Sequence, residues 1–299
     1  MKFGLCCLFS GEPIAYKTYS FLYLQKLEQK ESGGFVREKV LSVWKHNREM
    51  LQKAFDYCDK NGISGYRIGS DFYAQVPRLL SNGYIFESDL QEAYTQLSAL
   101  NTRGLILSMH PGQHVNLGSP TSSVVDNSLE DLDGHFAIAG ALNFNEVNIH
   151  LGGAYGDKDA AIKRFIDVVS SIPKEKQKLI TLENDELNYS IDEVISVAKK
   201  LNLRVVYDIH HQRCHELKYK SKGTIRYYFE RARETWPVDQ IQRVHISSPR
   251  DGYTTISKSR PHADYINQSD IPNWLWKENV LVDIEAKAKE QAILKLQKI

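Results

Sequence analysis

The stretch Gly104–His114 reads GLILSMHPGQH, an apolar run that stops at two imidazoles with Pro, Gly and Gln between them. Its first half has the short, bulky character of a buried strand, and Pro111-Gly112 ends it abruptly. The fold depends on how often this pattern recurs. Comparable runs stand at Lys2–Phe9 (KFGLCCLF), Gly65–Gly69 (GYRIG), Gly104–His110, Glu146–Leu151 (EVNIHL) and Leu179–Asn184 (LITLEN). Three more follow at Arg204–His210 (RVVYDIH), Arg243–Ser248 (RVHISS) and Val280–Ala286 (VLVDIEA). Amphipathic stretches separate them: Phe35–Lys60, Glu87–Asn101, Asn127–Leu142, Asp157–Ser171, Ser190–Leu201, Thr224–Thr235 and a last one at the C-terminus. Asn61-Gly62 closes the first of these, and Ser190 with Glu193 three residues on forms a capping box for the fifth. Strands alternating with helices predict a parallel sheet, and eight of them predict closure into a (β/α)₈ barrel. Such a barrel typically needs about 250 residues, so one domain over residues 1–299 fits, with Pro249–Trp276 as a long excursion before the last strand.

Composition narrows the class of partner. The 299 residues hold 38 Lys+Arg against 37 Asp+Glu, a net charge of +1, which gives no global pull toward nucleic acid or membrane. Any polyanion must therefore meet a local patch. Cys6, Cys7, Cys58 and Cys214 form no paired ligand motif and read as free thiols of a reducing compartment. The opening MKFGLCCLF is too short for a signal peptide, and no apolar run approaches the ~18 residues of a membrane span. The expectation is a cytoplasmic protein without membrane contact.

The strand ends carry the chemistry. The third strand ends in His110, the fourth in His150, the fifth in Glu183, and the sixth in Asp208 with His211 just beyond. The seventh carries His245 and its following excursion His262; the eighth carries Glu285. Barrel enzymes keep their reacting groups at this end. The period of two turns each group inward while its apolar neighbours face the helices. A single buried His or Glu usually serves structure, but several converging in one dry mouth need compensation, and divalent metal supplies it. Five imidazoles and three carboxylates exceed the needs of one four-coordinate ion, so about two or three ions with bridging carboxylates are expected. Mixed N/O ligation without thiolate suits Zn²⁺, Mn²⁺ or Fe²⁺. Clustered ions suit hydrolysis of a phosphodiester, where they acidify water and neutralise the phosphoryl oxygens.

Read in order, SMHPGQH, NIHLGGAYGDK (Asn148–Lys158), LEND (Leu182–Asp185), YDIHH (Tyr207–His211), VHISS (Val244–Ser248) and HADYI (His262–Ile266) resemble the successive motifs of the UV-damage endonuclease family. The resemblance spans nearly the whole chain and implies a TIM barrel related to endonuclease IV. It implies a three-metal centre commonly holding manganese, and nicking of lesion-containing double-stranded DNA immediately 5′ to the damage, with no nucleotide cofactor. Carried onto this sequence, Glu183 and Glu285 bridge, His110 and His150 hold one ion, Asp208 and His245 the next, and His211 and His262 the third. Glu183, Glu285 and Asp208, with Arg243 beside them, become the candidate catalytic groups. Gln113 and His114 match the pair inserted where the damaged dinucleotide leaves the duplex. Lys158 matches a family lysine placed to touch phosphate.

Two departures stand out. The family often has a carboxylated lysine where this chain has Arg243, and a guanidinium cannot form that carbamate. Arg243 is expected either to bind phosphate or to pair with a carboxylate. The first strand, GLCCLFS, also lacks the family's usual Tyr and Asn.

Arg213, Lys218, Lys220, Lys222 and Arg226 after the sixth strand, and Arg250, Lys258 and Arg260 after the seventh, form a candidate phosphate-tracking rim. Tyr253 and Tyr265 are candidates for base stacking, whereas Trp274 and Trp276 are expected to pack against the barrel end. His210 is expected to point away from the axis. Two alternatives keep the barrel: a metal-dependent sugar isomerase or epimerase, against which the imidazole-rich ligand set argues, and a DNA-binding scaffold without catalysis.

Overall fold

Each strand is followed by helical structure, and the computed structural model describes residues 1–30 and 33–299. The strands are β1 (Lys2–Cys6), β2 (Gly65–Gly69), β3 (Ile106–His110), β4 (Val147–His150), β5 (Ile180–Glu183), β6 (Arg204–Asp208), β7 (Gln242–Ile246) and β8 (Val280–Ile284). All pair in parallel with their sequence neighbours, and β8 returns to β1, closing the expected barrel. Between β1 and β3 run α1 (Phe21–Lys30), α2 (Gly33–Lys60), α3 (Val76–Ser81) and α4 (Glu87–Ser98). Then come α5 (Ser122–Leu142), α6 (Lys158–Ser171), α7 (Lys174–Gln177), α8 (Ile191–Leu201), α9 (Ile209–Glu216), α10 (Ile225–Arg233), α11 (Ile256–Ser259) and α12 (Glu290–Leu296).

The punctuation is local chemistry. The Ser190 hydroxyl accepts from the Glu193 amide, while the Glu193 carboxylate accepts from the Ser190 amide, so α8 starts as read. Gly62 takes a φ of 65° to end α2. Helices α1, α3, α7, α9 and α11 lie outside the segments expected from periodicity. The strand expected over Arg204–His210 stops at Asp208, because that carboxylate caps α9 by accepting from the His211 amide at 2.7 Å. The β-rich run YDIHH thus turns into a helix after its aspartate.

Alternation splits the barrel into two environments. Leu182, Val205, Val244, Val282 and Ile284 face outward and are fully buried against the helices. The inward positions are mostly polar instead: Ser108, Asn148, Thr181, Arg243 and Asp283 are all within 1 % of complete burial. Branched aliphatics usually fill this space. Here Arg243 spans it, donating to both carboxylate oxygens of Asp283 at 2.8 and 2.9 Å and to Glu146 at 2.6 Å. Gly4 makes room, since a Cβ there would lie 2.0 Å from the Asp283 carboxylate. Of the two expectations for Arg243, the carboxylate pair is the one found. As a catalytic or phosphate-binding group it must be corrected: it is 0 % exposed and locked beneath the strand ends.

Candidate metal centre

Glu183 is the hub of the strand-end cluster. Its side chain is 1 % exposed and has the Nε2 of His110 at 3.2 Å, the Nδ1 of His211 at 3.2 Å and the Nδ1 of His245 at 3.2 Å. Asn148, two residues before His150 on the same face of β4, donates to Glu183, and Thr181 donates to Asn148 at 3.0 Å. Asp208 Oδ2 lies 3.6 Å from His211 and 3.9 Å from His245. Glu285 Oε1 lies 3.5 Å from His245 Nδ1, and the His150 ring sits, tilted, between those of His110 (5.1 Å) and His211 (5.7 Å). His262 arrives from the excursion after β7, which folds back through a bridge between Pro249 and His262. Its Nδ1 is 3.9 Å from Glu285 Oε2. All eight expected ligands therefore converge at one end of the barrel.

Backbone carbonyls decide which ring nitrogens are free. Pro111 O accepts from His110 Nδ1 at 3.0 Å, Asn184 O from His211 Nδ1 at 2.9 Å, and Glu285 O from His262 Nδ1 at 2.7 Å. A carbonyl only accepts, so each Nδ1 carries a proton, and Nε2 is the nitrogen left to turn a lone pair toward a cation. Such outer contacts are the usual way of orienting a ligand histidine. By proximity His211 groups with Glu183 and Asp208, and His110 with His150 and Glu183, each set within 4.8 Å. For His211 the approach is through the nitrogen already given to Asn184. Its free Nε2 faces Glu186, 3.8 Å away, and the Nδ1 hydrogen bond to Asn184 outweighs mere proximity.

Charge at the centre is self-compensated through protons. Burial would lower His245, but Glu183, Asp283 and Glu285 hold its pKa up at about 10. Burial likewise opposes the charge on His211, which Asp208, Glu183 and Glu186 hold well above the ordinary imidazole range. Desolvation would raise Glu183, yet His245, His150, His110 and His211 keep it well below a normal carboxyl group. Burial and the neighbouring His110 and His211 lower His150 despite Glu183. Some polar atoms are still left over. His150 Nδ1, Asp208 Oδ2 and both nitrogens of His245 are buried without a hydrogen-bond partner. A divalent cation satisfies such lone pairs directly and displaces the extra protons, so this donor set fits one.

The cluster floors an open cavity of about 470 Å³, whose far wall comes from the loops after β1 and β2. Gln113 lies on its rim and also borders a neighbouring 220 Å³ depression, so the Pro111-Gly112 turn stands as a ridge between the two. His114 turns away: its side chain is 68 % exposed and its Nε2 is 3.4 Å from Asp131. Arg260 edges the second depression and pairs with Glu186 at 2.6 Å. Lys158 pairs with Glu193 at 3.0 Å above the Tyr189 ring, joining the first turns of α6 and α8, and Arg250 pairs with its neighbour Asp251. Arg213 is held by Asp270, while Lys218, Lys220, Lys222 and Lys258 are exposed. His210 packs beside His262, their ring centres 5.2 Å apart, and against Tyr253, whose hydroxyl is 2.9 Å from Nδ1.

The model of the family described as UV-endonuclease UvdE matches residues 1–299. The chain belongs to the UV-endonuclease UvdE family. A relative named UV DNA damage endonuclease, from a Nostoc species, is 30 % identical over 99 % of this chain and 89 % of its own length. Among solved structures, SacUVDE superposes with a TM-score of 0.83 at 23 % identity, covering 100 % of this chain and 97 % of its own. Endonuclease IV from Thermus thermophilus gives 0.56 at 17 % identity, covering 83 % and 91 %, and a D-psicose 3-epimerase from Clostridium cellulolyticum H10 gives 0.53 at 13 %, covering 95 % and 84 %. These structural likenesses are of fold. Within that fold, family membership separates the chain from the sugar epimerases.

Arg67, Asn148, Glu186 and Asp283 went unread in the sequence. Signals existed: Arg67 lies between two glycines on one face of GYRIG, Asn148 is two residues before His150, and Asp283 is two before Glu285. Among the described residues, no helix is long and apolar enough to cross a membrane.

Proposed function

We propose that residues 1–299 act as one unit, a divalent-metal-dependent endonuclease that hydrolyses DNA immediately 5′ to UV photoproducts or other helix-distorting lesions. The observation that carries this reading is Glu183 ringed by three imidazole nitrogens at 3.2 Å, with unpartnered lone pairs around it, on the floor of an open cavity. Glu183, Glu285, Asp208, His110, His150, His211, His245 and His262 would hold the ions, Mn²⁺ ahead of Zn²⁺ or Fe²⁺. Bound there, the ions supply an acidified water and positive charge for the phosphoryl oxygens and the leaving 3′-oxygen. The protein's part is preorganisation. Asn148 and Thr181 fix the Glu183 carboxylate, and the three carbonyls fix the tautomers of His110, His211 and His262. Sited at the C-terminal end of the strands, the cavity is open enough to receive a distorted backbone. The four thiols are free, in keeping with work on chromosomal DNA in the cytoplasm.

The test pairs elemental analysis of purified protein with scission of UV-irradiated against untreated plasmid under Mn²⁺. About two to three ions per chain and preferential nicking of irradiated DNA are expected. Equal nicking of both plasmids, or a protein that retains no ion, would refute the reading.

The ridge makes a second expectation. Extruding a nucleotide costs a few kcal/mol, and a side chain filling the gap offsets part of that. Gln113→Ala combined with His114→Ala should reduce preference for damaged over intact duplex about tenfold, leaving metal content unchanged. Since Gln113 borders both depressions and His114 borders neither, Gln113→Ala alone should account for most of the loss. Unaltered preference in the double variant would remove the ridge from the recognition surface.

A further inference from the structure

Two inward arginines approach the metal centre in opposite states. Arg243 is saturated by Asp283 and Glu146. Arg67, on β2, is not. Its Nη1 is 2.5 Å from Glu285 Oε1, its Nε is buried without a partner, and its side chain, 12 % exposed, borders the 470 Å³ cavity. The anion it leans on is thus one of the groups assigned to the ions. A carboxylate neutralised by divalent cations holds a guanidinium less firmly, and a buried guanidinium with a vacant donor needs another anion. The cavity side is the direction from which one can come. A guanidinium fork matches two oxygens of a phosphate, which a single ammonium does not.

We propose that Arg67 is a phosphate-binding residue of this centre: with ions in place, it turns its free donors from Glu285 to the non-bridging oxygens of the phosphodiester under attack. The inference rests on the endonuclease reading above, but its probe does not depend on DNA. The residue is poised by its strand, so little reorganisation is required. It supplies positive charge where charge develops, and its contribution falls on the chemical step rather than on duplex binding.

Inorganic phosphate is titrated calorimetrically into the full Mn²⁺-loaded chain, as wild type, Arg67→Gln and Arg67→Lys, with metal content measured in parallel. Phosphate affinity should fall about 10–100-fold in Arg67→Gln and by a smaller factor, still at least about fivefold, in Arg67→Lys, with ion content unchanged. On damaged plasmid, kcat should drop about 10²–10³-fold while KM stays within a few-fold. Arg67→Lys keeps a cation beside Glu285 and so guards against misfolding of the neutral variant. Wild-type phosphate affinity in Arg67→Lys would overturn the proposal, as would loss of ions from both variants, which would make Arg67 a mere prop for Glu285. A wild type that binds phosphate through Arg67 yet nicks irradiated and untreated plasmid alike would refute the repair reading and leave this one standing.

Discussion

Glu183→Gln is expected to abolish strand scission, with a fall of at least about 10³-fold in kcat/KM, and to lower the ion content of the purified protein. The substitution keeps shape and removes charge. Among the described residues, Glu183 alone lies within 3.2 Å of three candidate ligand histidines, which makes it the shared anion of the cluster. An amide offers a single carbonyl oxygen to positions where the carboxylate offers two. The fold should persist, because the surrounding barrel is closed by backbone pairing that Glu183 does not supply beyond its own strand. Two measurements separate loss of metal from loss of structure. The circular dichroism spectrum should match wild type, and the thermal midpoint should rise with added Mn²⁺ in wild type far more than in the variant, as linkage requires of a protein that binds ions only when folded. Nicking within a few-fold of wild type would dismiss the bridging role.

How much of this centre the sequence disclosed follows from what each residue depends on. His110, His150, Glu183, His245 and Glu285 lie on or next to short strands whose apolar alternation is unambiguous, so their facing could be counted directly. His211 stands just beyond the sixth strand, as read, but the β-rich run through His210 hides the helix that the Asp208 cap starts. His262 depends on a 28-residue excursion, from Pro249 to Trp276, folding back through the bridge to Pro249 and hydrogen bonds to Ser247 and Ser248. Partners were least legible. Arg243 faced inward as alternation demands, yet its carboxylates come from Glu146 and Asp283, 97 and 40 residues away in sequence. His114 and Lys158 were aligned with substrate-facing positions, but Asp131 and Glu193 supply nearer anions and turn them aside. Loop residues answer to local charge, and one sequence read linearly does not reveal which charge is closest.

The network under the centre gives the largest expected effect on stability. Asp283→Asn should destabilise the protein by about 3–5 kcal/mol, because it leaves the fully buried Arg243 with Glu146 as its remaining anionic partner. The near-isosteric amide minimises any packing change, and the room that Gly4 leaves for the carboxylate serves the amide equally. What is lost is charge and one arm of the two-pronged contact at 2.8 and 2.9 Å. Asp283 also has His245 Nε2 at 3.5 Å, so the variant loosens the ring whose Nδ1 faces Glu183. The two consequences are separable. Urea denaturation in EDTA reads the metal-free loss, the Arg243 contribution together with the His245 charge that Asp283 helps to hold, and a lower midpoint with unchanged slope is expected. Metal titration of the folded variant then reads the His245 contribution, with ion affinity about 10–100-fold weaker. A midpoint within error of wild type in EDTA would show that Arg243 does not need Asp283, and that Glu146 by itself compensates a guanidinium in the middle of the barrel.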